Sequence, residues 1–83
     1  MYFVYMIKNS YANLYIGITD NPERRLKEHN TKQGAAFTKN HEEFRIVFLE
    51  NHNSLKEARS REIQIKKWRR DKKEKLIESY NKI

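Results

Sequence analysis

The apolar positions of this 83-residue chain form short runs that polar stretches separate. Residues 2–8 are rich in aromatic and β-branched side chains and predict a first β-strand, and residues 14–18 predict a second. The short spacer between them favours an antiparallel hairpin. Gly17, inside the second strand, indicates a bulge or a close backbone approach, with a simple packing need as the alternative. Residues 44–50 predict a third strand.

Helix signals occupy the polar stretches. Residues 20–23, Asp-Asn-Pro-Glu, are typical of a helix start, because a capping side chain is followed by proline and an acid. This helix is predicted to run to about Asn30, and residues 31–43 are predicted to form a loop. Ser54 and Glu57 form a capping box that opens a long second helix.

The sequence allows two lengths for the second helix, depending on whether the helix breaks in the polar residues that follow. Asp71 and Glu74 form another capping box, which predicts a break near Arg70. Neither Gly nor Pro enforces that break, so one long helix is the alternative. With the break, the predicted order is β-β-α-β-α-α. We therefore expect a single α/β (α+β) domain over residues 1–83, with a three-stranded, mostly antiparallel sheet flanked by helices.

The charge of the chain indicates its partner. Lys and Arg number 18 against 11 Asp and Glu, a net charge of +7, and most of the surplus falls in residues 55–75. Such a surplus attracts polyanions, so nucleic acid is the expected partner. A solvated helix face with intrahelical ion pairs is the alternative. The candidate nucleic-acid contacts are Lys66, Lys67, Arg69, Arg70 and Lys39.

Other properties exclude whole classes of function. The chain has no cysteine, which excludes a disulfide scaffold, a cysteine zinc finger, an iron–sulfur site and a thiol nucleophile. Its apolar runs are too short for a membrane span or a secretory signal. We therefore expect a cytoplasmic protein with no membrane contact.

Glu62 is an unexpected residue on the long helix. It falls on the apolar stripe of that helix, where a carboxylate is costly unless it is paired, protonated or bound to a metal. One interpretation is a structural Glu that pairs with a buried Arg or leans out to solvent. The other is a metal-binding carboxylate at the floor of a basic cleft. The stripe consists of Leu55, Ala58, Ile65 and Trp68.

Four further residues have side chains suited to catalysis. Arg25 and His29 are four residues apart, on one face of the first helix, and Tyr5 and Tyr15 lie on adjacent predicted strands. Arg binds phosphate through two parallel hydrogen bonds, and His moves protons near neutral pH. Solvent exposure of the first pair and cross-strand packing of the second are the alternatives. Together with Glu62 they suit phosphoryl chemistry, in which Arg offsets charge, Glu holds a divalent ion, and a phenol or imidazole orients water.

These residues also resemble a known family. In their order and spacing they resemble the GIY-YIG nuclease domain, above all its small stand-alone bacterial members, which are related to the amino-terminal domain of the C component of excinuclease ABC. The resemblance is most specific where residues 15–19 are followed by residues 22–30, and residues 34–38 and 61–68 resemble the stand-alone subgroup. The first motif lacks the family's Gly and Ile. The matching residues are Phe3-Val4-Tyr5, Tyr15-Ile16-Gly17, Arg25, His29 and Glu62.

The resemblance implies a metal-dependent endonuclease acting on DNA, with one Mg²⁺ or Mn²⁺ ion on Glu62 and no small-molecule cofactor. It implies that Arg25 contacts the scissile phosphate and that Tyr5 acts as base or water-orienting group. Tyr15 and His29 would assist, and Asn81 would correspond to a late asparagine of the family. A role in DNA repair or recombination follows as an expectation.

Rival interpretations come from other functional classes. One is a non-catalytic nucleic-acid-binding module with the same fold, and another is an adaptor in a DNA-repair complex. The form of the nucleic acid stays open among duplex, single-stranded or branched DNA and RNA.

Overall fold

Three antiparallel strands and three helices form the domain in the predicted order. The computed structural model describes residues 1–32 and 43–82, without the side chain of Lys32. The elements are β1 (Tyr2–Lys8), β2 (Leu14–Thr19), α1 (Pro22–Lys32), β3 (Arg45–His52), α2 (Leu55–Lys66) and α3 (Arg70–Asn81). The strands pair in the spatial order β2-β1-β3, which confirms the predicted antiparallel sheet.

The pairing register settles the two interpretations of Gly17. Gly17 lies opposite Tyr5, and the ladder between β1 and β2 is regular on both sides of this pair. A bulge at Gly17 is therefore wrong; the glycine meets a packing need, because the side-chain ring of Tyr5 lies against it. The irregularity of the sheet lies between β1 and β3 instead, where Met6 pairs with Phe48 and Ile7 with Ile46. Val47 is the extra residue of this β-bulge.

Side chains alternate across the sheet and build two cores. Val4 and Met6 point to the face that α2 and α3 cover, whereas Tyr5 and Ile7 point to the face that α1 covers. The first core also contains Ile16, Val47, Phe48, Ala58, Ile65 and Ile77, and the second contains Phe44, with Leu26 packed against it. The sheet thus separates α1 from the other two helices.

Two predicted helix starts are confirmed. The side-chain oxygen of Asn21 accepts a hydrogen bond from the backbone N–H of Arg24 at 3.1 Å. The hydroxyl of Ser54 accepts one from the N–H of Glu57 at 3.2 Å. Each of these bonds satisfies a backbone donor that the first turn of a helix leaves without a partner. Local chemistry therefore decides where α1 and α2 begin.

The predicted break between the last two helices is also confirmed, but its capping residue is different. Residue Arg69, with extended backbone angles (φ −71°, ψ 159°), precedes α3 and makes no side-chain cap. Asp71 lies inside the first turn of the helix. The predicted capping box of Asp71 and Glu74 is wrong, because Glu74 turns to Lys8 at 3.0 Å and to Arg70 at 2.7 Å.

The predicted apolar stripe of α2 is shorter than expected. Ala58 and Ile65 are fully buried and Trp68 is partly buried against the same core, but Leu55 is exposed. Leu55 is the first residue of α2, so it extends beyond the part of the helix that the sheet covers. Within residues 1–32 and 43–82, no helix is long and apolar enough to cross a membrane.

Candidate active site

The centre of the candidate site is the contact between Tyr5 and Gly17. The ring of Tyr5 is buried on the α1 face of the sheet and lies across the backbone of Gly17. A β-carbon on residue 17 would lie 2.6 Å from the Tyr5 hydroxyl oxygen and 2.8 Å from its ring carbon Cζ. The glycine therefore lets the phenol cross the outer strand β2 toward α1.

Arg25 meets this phenol from α1. Its backbone N–H donates to the carbonyl of Asn21 at 3.0 Å, so the capped start of the helix sets its position. A side-chain hydrogen bond with Tyr5 is the largest cause that raises the pKa of Arg25, and Glu28, at 3.4 Å, raises it further. The guanidinium is thus a permanent cation, and 36% of its side chain remains exposed to a ligand.

Tyr15 and His29 lie on the same face. Their ring centroids are 4.8 Å apart, and His29 in turn contacts Phe44 edge-on with centroids 4.6 Å apart. Tyr15 precedes Gly17 by two residues, so it is a diagonal neighbour of Tyr5 across the hairpin. The fold therefore brings four of the five predicted catalytic residues onto the α1 face.

Asn30 supports this arrangement and was not among the predicted site residues. Its side-chain oxygen accepts from the N–H of Phe44 at 2.8 Å, and its side-chain nitrogen donates to the Phe44 carbonyl at 3.1 Å. These two bonds hold the start of β3 against α1, and thereby hold Phe44 beside His29. A sequence signal existed, since Asn30 directly follows His29 at the predicted helix end.

Glu62 lies on α2, which packs on the opposite face of the sheet. Only 13% of its side chain is exposed, and its carboxylate pairs with Lys66 at 3.2 Å. In the described part of the chain, no hydrogen bond or ion pair joins Glu62 to the residues on the α1 face. Glu62 therefore pairs with an exposed Lys and not with the buried Arg that one interpretation of the sequence expected.

The direction of Glu62 follows from its neighbour. Arg61 donates from Nε to Glu50 of β3 at 2.9 Å, so its flank of α2 faces β3. Because a helix turns about 100° per residue, Glu62 lies across the line of Ala58 and Ile65 from Arg61. Glu62 thus faces the outer strand β2, across which the Tyr5 phenol reaches Arg25.

Glu62 has donor chemistry that fits a hard divalent ion. In the described ranges, no group of three or more His, Cys, Asp or Glu side chains is arranged to hold a metal. These residues therefore do not form a metal site made entirely of protein ligands. Mg²⁺ and Mn²⁺ favour oxygen ligands, and Mg²⁺ is commonly held by one or two carboxylates together with water and substrate phosphates. A single, largely buried carboxylate fits that mode.

The predicted nucleic-acid contacts differ in their surroundings. Lys66 pairs with Glu62, and Arg70 pairs with Glu74 and donates to the carbonyl of Ala12 at 2.7 Å. Arg69 is almost fully exposed, with Asp71 at 3.9 Å. Lys67 is exposed and has no carboxylate partner within the described residues.

Asn81 and Lys39 are the remaining predicted residues. Asn81 is the last residue of α3 and is exposed. Lys39 and the motif at residues 34–38 lie outside the described residues.

Comparison with known proteins shows the class of protein, a nuclease-type family. Residues 1–75 match the model of the GIY-YIG catalytic domain, and the chain belongs to the GIY-YIG family. The resemblance found in the sequence is thereby confirmed.

The similar proteins are small stand-alone members of this family. The chain is 40% identical over 79 residues to a UPF0213 protein of Clostridium perfringens, covering 95% of this chain and 85% of that protein. It is 45% identical over 76 residues to one from Syntrophus aciditrophicus, covering 90% and 87% respectively. The solution NMR structure of a UPF0213 protein from Bacillus halodurans is 33% identical, with a TM-score of 0.60 over 94% of this chain and 84% of that one.

Proposed function

We propose that this protein is a Mg²⁺- or Mn²⁺-dependent endonuclease that hydrolyses phosphodiester bonds in DNA. The observation that carries the proposal is the contact of Tyr5 with Arg25 across Gly17. It combines a buried phenol of restricted orientation with a partly open guanidinium, next to a second Tyr and a His. Membership in a nuclease-type family supports the same reaction class.

Arg25 binds the scissile phosphate in this mechanism. Its planar fork donates two parallel hydrogen bonds to phosphate oxygens, which a Lys ammonium does not. The raised pKa of Arg25 keeps it charged throughout the working pH range. Because negative charge grows on the phosphate oxygens as the bond breaks, a fixed cation stabilises the transition state more than the bound substrate.

Tyr5 orients the attacking water through its hydroxyl group. Its ring is enclosed by the second core and by Gly17, so the hydroxyl has little freedom to leave its position. Tyr15 is 43% exposed and stands at the open side of the site. His29 contacts the Tyr15 ring and assists proton movement there.

Glu62 would hold the divalent ion. When bound, the ion polarises the phosphate and offsets its charge. The largely buried position of Glu62 and its ion pair with Lys66 restrict its rotamers.

A nicking assay tests this function. Supercoiled, linear duplex, single-stranded and branched DNA are incubated with the protein, with and without Mg²⁺ or Mn²⁺. We expect metal-dependent cutting of at least one form by the parent, loss of cutting with Glu62→Gln, and retention with Glu78→Gln. Glu78 is a matched control, because it pairs with Lys82 at i,i+4 as Glu62 does with Lys66, but on an exposed surface. Cutting by Glu62→Gln at the parent rate would remove Glu62 from the mechanism.

A non-catalytic nucleic-acid-binding module is the second candidate. The surplus of positive charge in residues 55–75 favours it, since sequence-independent binding requires no Tyr, His or Glu. Binding without cutting of any DNA form under either metal would support this function. A cytoplasmic location and a role in DNA repair or recombination stay predictions of the sequence.

A further inference from the structure

The outer face of α2 carries a row of cations that have no carboxylate partner. Lys56, Arg59 and Lys67 are exposed, and in the part of the chain that the structure describes none of them forms an ion pair. At about 100° per residue, these positions and Ile63 share one side of the helix. Ile63 is 48% exposed in the middle of the row. We call these four residues the α2 row.

The spacing of acids along α2 leaves Lys56 and Arg59 without an i,i+4 ion-pair partner. Four other helical cations meet an acid four residues away, at the spacing of such pairs. The residues four positions from Lys56 and Arg59 within α2 are Ser60, Leu55 and Ile63, none of which is charged. The neutralised pairs are Arg24–Asp20, Lys66–Glu62, Arg70–Glu74 and Lys82–Glu78.

The α2 row adjoins the flank that bears Glu62. Arg61 ties the other flank of α2 to β3 through Glu50. Around the helix axis, the side chains on the side of the buried line opposite Arg61 follow in a fixed order. Glu62 is first, Lys66 and Arg59 are next, and the remaining residues of the row are farthest from the sheet. A ligand that reaches Glu62 from the β2 side therefore meets the α2 row as it continues around the helix.

We propose that the α2 row binds the phosphodiester backbone of the nucleic acid beyond the cleaved bond. The inference rests on the proposed function, because it extends the substrate from the site at Glu62 onto α2. Lys56 and Lys67 are about 16 Å apart along the helix axis at about 1.5 Å per residue. One DNA strand carries a phosphate about every 3.4 Å of duplex axis, so the row is as long as about five base-pair steps. Ile63 offers an apolar contact for a sugar between the cations.

Binding in the presence of a chelator tests the α2 row separately from catalysis. Affinity for a 20-base-pair duplex is measured by fluorescence anisotropy with EDTA between 0.05 and 0.5 M salt. The test variant carries Arg59→Gln and Lys67→Gln. The matched control carries Arg24→Gln and Lys82→Gln, which removes the same charge from cations that already have acidic partners. Circular dichroism verifies that both variants fold.

We expect the test variant to lose about 1.8 from the logarithmic salt slope, since each duplex phosphate contact contributes about 0.9. Over a tenfold range of salt, this slope difference changes the ratio of parent affinity to variant affinity by roughly 60-fold. The control should stay within a few-fold of the parent. An equal loss of duplex affinity in both variants would contradict the proposed role of the α2 row, because net charge alone would then explain binding. So would tighter binding of the parent to vesicles of 30% phosphatidylserine in phosphatidylcholine than to the duplex.

Cleavage distinguishes the two proposals. Metal-dependent cutting together with an unchanged salt slope in the test variant would overturn the α2 row and leave the nuclease standing. A lowered slope in the test variant, with no cutting by the parent, would support the row as part of a binding module and would overturn the nuclease.

Discussion

The phenol of Tyr5 lies over Gly17 so closely that the two positions constrain each other. A β-carbon at residue 17 would come within 2.6 Å of the Tyr5 hydroxyl oxygen. The same ring bears the hydroxyl that meets Arg25. The outer strand of the sheet therefore helps to orient a group that we place at the reacting phosphate.

Gly17→Ala should displace the Tyr5 ring and separate its hydroxyl from Arg25. The buried ring has little room to move, so we expect a destabilisation of about 1–3 kcal/mol, as for overpacking of a core. Urea unfolding measures this cost, and NMR of the Arg25 side-chain N–H groups measures the lost contact. Tyr5→Phe is the comparison, since it removes the hydroxyl and keeps the ring. Parental stability and parental Arg25 signals in the Gly17→Ala variant would contradict the packing.

Arg25→Ala should separate catalysis from binding. Loss of one donor that acts on transition-state charge lowers turnover by about a hundredfold or more. Affinity for DNA should fall little, because many other cations supply the sequence-independent attraction. Arg25→Lys should rescue only part of the rate, since an ammonium lacks the paired donors. Single-turnover cleavage and anisotropy measure the two quantities. Equal losses of rate and affinity would make Arg25 an ordinary phosphate anchor.

Lys66→Met should strengthen the binding of Mn²⁺ or Mg²⁺ to the protein. The Lys66 ammonium lies 3.2 Å from a Glu62 oxygen and repels a second cation there. Removal of a unit charge at about 4 Å is worth about 1 kcal/mol in water, or about fivefold in affinity. Titration followed by NMR measures the dissociation constant. Lys67→Met is the control, because it removes the same charge from an exposed residue with no acidic partner in the described ranges. Identical affinities for the two variants would exclude Glu62 as the ligand.

Glu74 should stabilise the fold at neutral pH and lose this effect in acid. Its hydrogen bond from Lys8, and then the one from Arg70, hold the pKa of Glu74 below its ordinary value of 4.5. A lowered pKa favours the charged form in the folded state. The stabilisation is therefore complete above pH 4.5 and disappears as the pH falls through the lower folded-state value.

Glu74→Gln measures this contribution. Since Glu74 is partly exposed, we expect a loss of about 1 kcal/mol or less at pH 7, which shrinks as the pH falls through the lowered folded-state pKa. Urea unfolding at pH 7 and at a series of acidic pH values provides the comparison. Glu78→Gln, which breaks an exposed pair with Lys82, should cost less at pH 7. A constant difference between parent and Glu74→Gln over this pH range would show that the ion pair carries none of the effect.

The sequence by itself determined the features that depend on neighbours along the chain. The caps at Asn21 and Ser54 are formed by side chains bonding to backbone groups three residues away, so their spacing is visible in the sequence. The three strands follow from runs of β-branched and aromatic residues, and the family motif spans contiguous segments. The hairpin of β1 and β2 then places Tyr5 and Tyr15 on one face by alternation alone.

Only the tertiary structure decided which charges remain available and which faces meet. Glu74 could have capped α3, but Lys8, 66 residues away in the sequence, competes for its carboxylate. Because of the bulge at Val47, the consecutive residues Val47 and Phe48 of β3 both point into the same core, which no alternation pattern predicts. Glu62 lies on the far side of the sheet from Tyr5, although both fit one motif. Such contacts depend on which segments fold against each other, and a pattern along the chain carries no information on distances across the fold.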